Sequence, residues 1–390
     1  MQPYHILING LSIGGGGGYT VGRELLRHLA LERPAWTITL ALVEGNRLHE
    51  QMRSEQLPAN CRLLWAPPAA AGRFGRRKYE NKDLAKWADT QHVTAVVQLN
   101  GMMVPALRRP VLAHNQDPWP YRPEAWSGLK DRATAFLKRI AHARALRRAD
   151  CVGWTSQYLR DLVCNHSGIH PARSEIFYNG LPESWITRVD SALPPWETRP
   201  LDLISVSEVS VYKRQSLVIQ ALPLLLRRPE FATLKYRIVG NCAAPYEDEL
   251  KSLARSLGVA DHVVFEGRVS DDRLQQLLCS AKCFVLMSVC ESFGIPAIEA
   301  MSFGTPVVTS DCCAMPEVCG DAAELCPADD LEALAQRLAR VLSDASRAEG
   351  LRRAGALRVK QFSWTTTARK MASCLEEIAQ ARKPSQYERA

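Results

Sequence analysis
Two glutamates, Glu291 and Glu299, flank a single turn signal, Ser292-Phe293-Gly294, and a lysine, Lys213, sits in a separate polar stretch upstream. An ionised carboxylate only accepts hydrogen bonds, so it suits a neutral diol and repels a phosphate; an ammonium does the reverse. Glu299 falls one turn into an expected helix, where it reads as a clamp on a ribose. Glu291, at the end of an expected strand, reads as an acceptor for hydroxyls of a second ring held beyond a diphosphate. Two diols joined by a diphosphate describe a sugar nucleotide. Taken singly, Glu299 also fits a salt-bridging residue on a surface helix and Glu291 a solvated loop residue.

The neighbouring residues supply the elements that must hold this pair. Residues 283–289 form a short continuous apolar run, the pattern of a buried parallel strand, and 292–294 supply the turn. Pro296 suits the first position of a helix, Gly304 its left-handed stop, and 307–310 the next strand. The amides near Phe293, Gly294 and Ile295 then face the carboxyl edge of a sheet, where open α/β folds bind ligands and phosphates favour the positive helix end.

The segment E-S-F-G-I-P-A-I-E-A-M-S-F-G-T-P-V-V-T-S, followed by P-E-V-C-G-D-A-A at 316–323, resembles the E-x7-E region of the retaining family-4 glycosyltransferases. The resemblance implies the α/β GT-B fold, two doubly wound Rossmann-like domains facing across a cleft. It implies that Glu291 and the amides of Phe293, Gly294 and Ile295 hold the donor sugar, and that Glu299 holds the ribose. Lys213 matches the family's diphosphate lysine. The arginine usual five positions earlier is Glu208 here, so Arg214 or Arg268 becomes the candidate second cation. His114, opening His114-Asn115-Gln116-Asp117-Pro118, resembles the histidine that the family places over the donor sugar; on the residues alone a hydrogen-bonded structural histidine is the favoured reading, and Asp117 reads as a turn residue.

The run Gly14 to Gly18 admits two readings, because a turn without side chains lets a ligand approach the backbone. With Glu44 at the end of the second expected strand, one is a dinucleotide-binding dehydrogenase. The other, implied by the resemblance, is a loop whose Gly15, Gly16 and Gly17 border the donor diphosphate. The sequence has no Asp-x-Asp, so the expectation is a reaction needing no metal and no cofactor beyond its nucleotide-sugar substrate.

Alternating strand-like and helix-like runs occupy the first half, pause at the proline-rich stretch 191–200, and restart at 201. The expected organisation is an acceptor-binding domain over 1–190, a linker over 191–200, a donor-binding domain over 201–362, and a terminal helix over 363–390 returning to the first domain. The 390 residues are 46% hydrophobic and 23% charged, as in ordinary globular chains. No run approaches membrane-span length and residues 1–9 lack a signal peptide's apolar stretch, so a cytoplasmic protein with reduced cysteines is expected. The net charge of +8 is concentrated in the first domain: at Arg73, Arg76, Arg77, Lys78 and Lys82, and along the helix-like 129–149. That helix also carries Ala133, Phe136, Leu137 and Ile140 as an apolar stripe. It reads either as a helix packed on its own core or as a seat on anionic lipid, on the inner face of the membrane, near a lipid-linked glycan acceptor. No basic tract interleaved with aromatics points to nucleic acid. A non-catalytic sugar-nucleotide-binding protein, an epimerase and a phosphorylase remain open on the same fold.

Overall fold
The computed structural model describes residues 4–13, 17–45, 52, 55–187, 193–241 and 244–381. Gly15, Gly16, positions 191 and 192 of the expected linker and 382–390 of the expected terminal segment lie outside them. The chain forms two compact units. One comprises 1–121, 128–180 and 364–390, the other 122–127 and 181–363.

The first unit is built on a seven-stranded parallel sheet of His5–Asn9 (β1), Thr37–Val43 (β2), Cys61–Ala66 (β3), Ala95–Gln98 (β4), Val111–Asn115 (β5), Cys151–Trp154 (β6) and Ser174–Ile176 (β7), in the order β3-β2-β1-β4-β5-β6-β7. β1, β4, β5 and β6 are buried throughout, as expected of apolar strands covered by helices on both faces. The terminal helix Trp364–Ala381 packs on Gly17–Glu32 within this unit.

The second unit has a six-stranded parallel sheet of Asp202–Val206 (β8), Lys235–Val239 (β9), Val263–Gly267 (β10), Cys283–Leu286 (β11), Val307–Ser310 (β12) and Ala323–Cys326 (β13), ordered β10-β9-β8-β11-β12-β13. Its core joins Leu203, Tyr236, Val285 and Val308 to Leu222 and Leu338 of the covering helices. Residues 193–200 pack into this unit: Trp196 donates its indole N–H to the Lys282 carbonyl at 3.0 Å, and the Arg199 guanidinium reaches the carbonyls of Ala281 and Phe303.

Both sheets reverse their strand order once, at β1/β4 and at β8/β11, and loops at the carboxyl ends of such a pair form the ligand edge of a doubly wound fold. β7 and β13 carry no apolar run. The expected strand 283–289 is shorter than its apolar run: pairing with β12 stops at Leu286, beyond which the chain leaves the sheet and the Val289 amide donates to the Tyr212 carbonyl at 2.9 Å.

Candidate active site
β8 and β11 flank the order reversal of the second sheet, so the loops that follow them meet there. The loop after β8 closes in a short 3-10 turn, Val211–Lys213, and Arg214 takes the left-handed conformation at φ 54° before the helix Gln215–Leu226 begins. Gln215 pins this loop by donating to Ser207 Oγ at 3.1 Å and to the Glu208 carbonyl at 3.3 Å. From the other side, the Val289 carbonyl accepts from Arg122 Nε at 3.1 Å. Neither Gln215 nor Arg122 is marked in the sequence, because each acts on groups that only the folded chain brings near.

Those ties bring Lys213 Nζ to within 2.5 Å of Glu291 Oε1, with the two side chains 13% and 11% exposed. Burial alone would depress the lysine, but the charge and hydrogen bond of the Glu291 carboxylate, with the ionisable Tyr212 hydroxyl, outweigh it and hold the ammonium above its ordinary value. The ammonium also lies 5.2 Å from the Tyr212 ring centroid. Salt bridges this covered gain Coulomb energy only by giving up hydration.

The helix after Glu291 runs Ile295–Ser302, with Pro296 in its first turn and Gly304 at φ 60° beyond its end. Gly294 starts it at φ 88°, and a Cβ there would lie 2.6 Å from the buried Met315 sulfur, so glycine is required on both counts. Phe293 points its ring into the core against Phe362, leaving only its backbone for a ligand. Glu299 is half-buried one turn into the helix.

The other expected cations are placed differently. Arg214 adjoins Lys213 and is half-buried, whereas Arg268 is exposed just past β10. β10 stands three positions from β11 in the sheet, about 14 Å at the usual strand spacing. Glu208 is exposed.

In the first unit, Gly17 is exposed at the start of its helix. His114 sits near the carboxyl end of β5 and is 1% exposed, its ring edge-on to Phe177 at 5.9 Å. Gly153 on β6 makes room for it: a Cβ there would lie 2.9 Å from His114 Nδ1. Burial lowers this imidazole to about 4, so it is neutral near pH 7. Nδ1 has no partner, and because an orphan N–H is rarer than an orphan acceptor, the proton is assigned to Nε2, which leaves that nitrogen as the donor. Asp117 is the turn residue expected, accepting the Trp119 amide at 3.1 Å and pairing with Lys138 at 2.7 Å.

A concavity of about 460 Å³ lies at the opposite, amino edge of the second sheet. Its Arg237 is already held by Asp202 and Glu266 at 2.7 Å each, so it offers a ligand little. Among the described residues, no group of three His, Cys, Asp or Glu is placed to hold a metal ion, and no helix is long and apolar enough to cross a membrane.

Sequence profiles of two families match the chain. The one described as Glycosyltransferase Family 4 covers residues 15–185, and the one described as Glycosyl transferases group 1 covers 190–358. The O-antigen chain mannosyltransferase B of Escherichia coli is 33% identical over 148 residues, 38% of either chain. A phosphatidyl-myo-inositol mannosyltransferase of Mycobacterium leprae is 34% identical over 170 residues, 43% of this chain and 44% of its own. Across the first four curated relatives the match spans 32% to 54% of their length. A sucrose-phosphate synthase from Thermosynechococcus elongatus shares the fold, with a TM-score of 0.78 at 18% identity over 97% of this chain and 100% of its own.

Proposed function
We propose that this chain, which belongs to the family-4-like glycosyltransferases of the GT-B type, moves a hexosyl unit from a nucleotide-diphosphate sugar to a glycan or lipid-linked glycan acceptor with retention of anomeric configuration. The observation that carries the reading is the Lys213–Glu291 pair at the strand-order reversal of the second unit. Mannose is the first hexose to try, since the two curated relatives above are named mannosyltransferases.

Lys213 pairs with the Glu291 carboxylate. An arriving diphosphate offers the ammonium a stronger partner and draws it away, which frees Glu291 to accept hydroxyls of the donor sugar. Charge then grows on the oxygen leaving the anomeric carbon, where Lys213, Arg214 and the amides of Gly294 and Ile295 stabilise it more in the transition state than in the ground state. Glu299 accepts the ribose hydroxyls. The neutral His114 contributes a hydrogen bond from Nε2 and no charge. The acceptor hydroxyl attacks from the face the diphosphate leaves and passes its proton to the departing phosphate oxygen, so no side chain forms a bond to the sugar. Charge compensation by side chains and amides makes a divalent metal unnecessary.

The test is transfer from GDP-mannose and UDP-glucose to glycan acceptors, with and without EDTA, with the product anomer read by NMR. An α-linked product from an α-linked donor, undiminished by EDTA, is expected. Donor binding without transfer to any acceptor would favour a sugar-nucleotide-binding protein, and a requirement for inorganic phosphate would favour a phosphorylase.

A further inference from the structure
The helix Leu129–Arg148 in the first unit exposes four of its five large apolar side chains. Ala135, His142, Ala145 and Leu146 face inward, while Leu129, Phe136, Leu137 and Ile140 are 81%, 62%, 44% and 51% exposed. With the exposed Ala133 they recur at helical spacing, a continuous apolar stripe turned away from the core. A helix that only packed on its own unit would show the opposite arrangement. Lys138 and Arg139 do not belong to the outer face: Lys138 pairs with Asp117, and Arg139 Nε donates to the Pro120 carbonyl at 2.6 Å. Lys130, Arg132, Arg144, Arg147 and Arg148 are exposed around and beyond the stripe, and Asp131 is the only acidic residue of the helix. The helix Arg73–Tyr79 repeats this combination, with Phe74 89% exposed among Arg73, Arg76, Arg77 and Lys78.

We infer that the outer face of the Leu129–Arg148 helix seats the enzyme on an anionic lipid surface, lying in the plane of the interface with Phe136, Leu137 and Ile140 in the acyl boundary. Protein interface cores are depleted of charge, and a stripe bordered by five cations with one acid is matched by a surface of anionic headgroups. The Phe74 helix supplies a second basic and apolar element of the kind that reversible anchoring needs. This inference gives the reading above a lipid-linked acceptor to work on, but its support is independent of the donor site.

Flotation of the full chain with vesicles of phosphatidylcholine alone, and of phosphatidylcholine with 30% phosphatidylglycerol, tests it. Binding is expected only to the anionic vesicles and is expected to weaken as salt rises. Phe136→Ser with Ile140→Ser, both on the exposed face, should cut partitioning at least tenfold, and Arg144→Glu with Arg147→Glu about fivefold per charge removed. Equal binding to both vesicle types, binding unaltered by the serine pair, or tighter binding to a single-stranded RNA probe at the same salt overturns the inference. Thermal stabilisation by GDP-mannose or UDP-glucose, measured on the same variants, reads the donor site separately and should be unchanged.

Discussion

The two sheets share a winding order but end in opposite chemistry. At the carboxyl edge of the second, Lys213 and Glu291 form a largely covered ion pair. At the carboxyl edge of the first, His114 is driven neutral by burial and its neighbours Asn9, Gln98 and Asn115 are amides; Asn9 donates to Gln98 Oε1 and to Glu80 at 2.9 Å each. The carboxyl edge of one sheet thus carries an ion pair, and that of the other carries amides, a neutral imidazole and the buried Glu80. Strand order settles where a ligand edge lies, and the side chains just past the strand ends settle what it binds.

The hardest break of this contrast is to remove charge from the ionic half. Lys213→Ala and Glu291→Ala should each reduce transfer about a thousandfold or more while leaving circular dichroism unchanged, because each strips transition-state stabilisation from a desolvated site. Each single change also orphans a covered charge, so the double variant should be more stable than the sum of the two single losses implies. Near-wild-type turnover by either single variant refutes the site.

Next in size is Gly294→Ala, which should destabilise the second unit by about 2–5 kcal/mol, combining the left-handed backbone penalty with overpacking against Met315. Urea denaturation measures it. Gly17→Ala, at the start of the first unit's helix with open space around a Cβ, should leave stability almost untouched.

Much of this was legible beforehand and the remainder was not, for reasons visible in particular residues. Gly294, Pro296 and Gly304 punctuate a short helix by backbone rules that depend on little else, so the turn between Glu291 and Glu299 could be placed from spacing. β13, Ala-Glu-Leu-Cys, could not, because its buried Glu324 looks like a loop residue until Arg347 closes on it at 2.5 Å. The strand end at Leu286 was hidden for a related reason: Met287 and Val289 continue the apolar run and are buried, although neither pairs with β12. The ion pair between Lys213 and Glu291 joins residues 78 positions apart, and each was assigned a ligand of its own without any sign that they hold one another. The exposure of Phe136 and Ile140 was equally hidden, since periodicity reveals a stripe but not which way it faces.

The contrast also predicts opposite pH limits. His114 and His142 are both lowered by burial to about 4, so between pH 6.5 and 4 the unfolded chain binds more protons than the folded one. Stability from this source is complete above pH 6.5 and is lost as pH falls, by up to ~3 kcal/mol for each ring. Lys213 is raised, so its contribution is complete below the ordinary lysine value and is lost only as pH climbs through the elevated one. Urea midpoints from pH 7 down to 4.5 should fall in the wild type and fall less steeply in His114→Asn. An unaltered slope would mean that His114 is not the neutral, sequestered group described here.

The smallest effect separates backbone strain from charge at one residue. Arg214 is left-handed at φ 54°, which costs a non-glycine residue roughly 1–2 kcal/mol. Glycine relieves that strain but adds about 0.4–1 kcal/mol of unfolded-chain entropy, so Arg214→Gly should leave stability within about 1 kcal/mol of wild type. If its guanidinium meets the diphosphate beside Lys213, the same variant should still bind donor roughly fivefold more weakly, the equivalent of ~1 kcal/mol. Arg214→Lys keeps both the strain and the charge and should keep most of the affinity. Calorimetric titration with the nucleotide diphosphate, in parallel with urea unfolding, checks both readouts. A glycine variant that binds donor as tightly as wild type would leave Lys213 and the helix amides to meet the diphosphate, and the place of the arginine usual at position 208 would then be unfilled by Arg214.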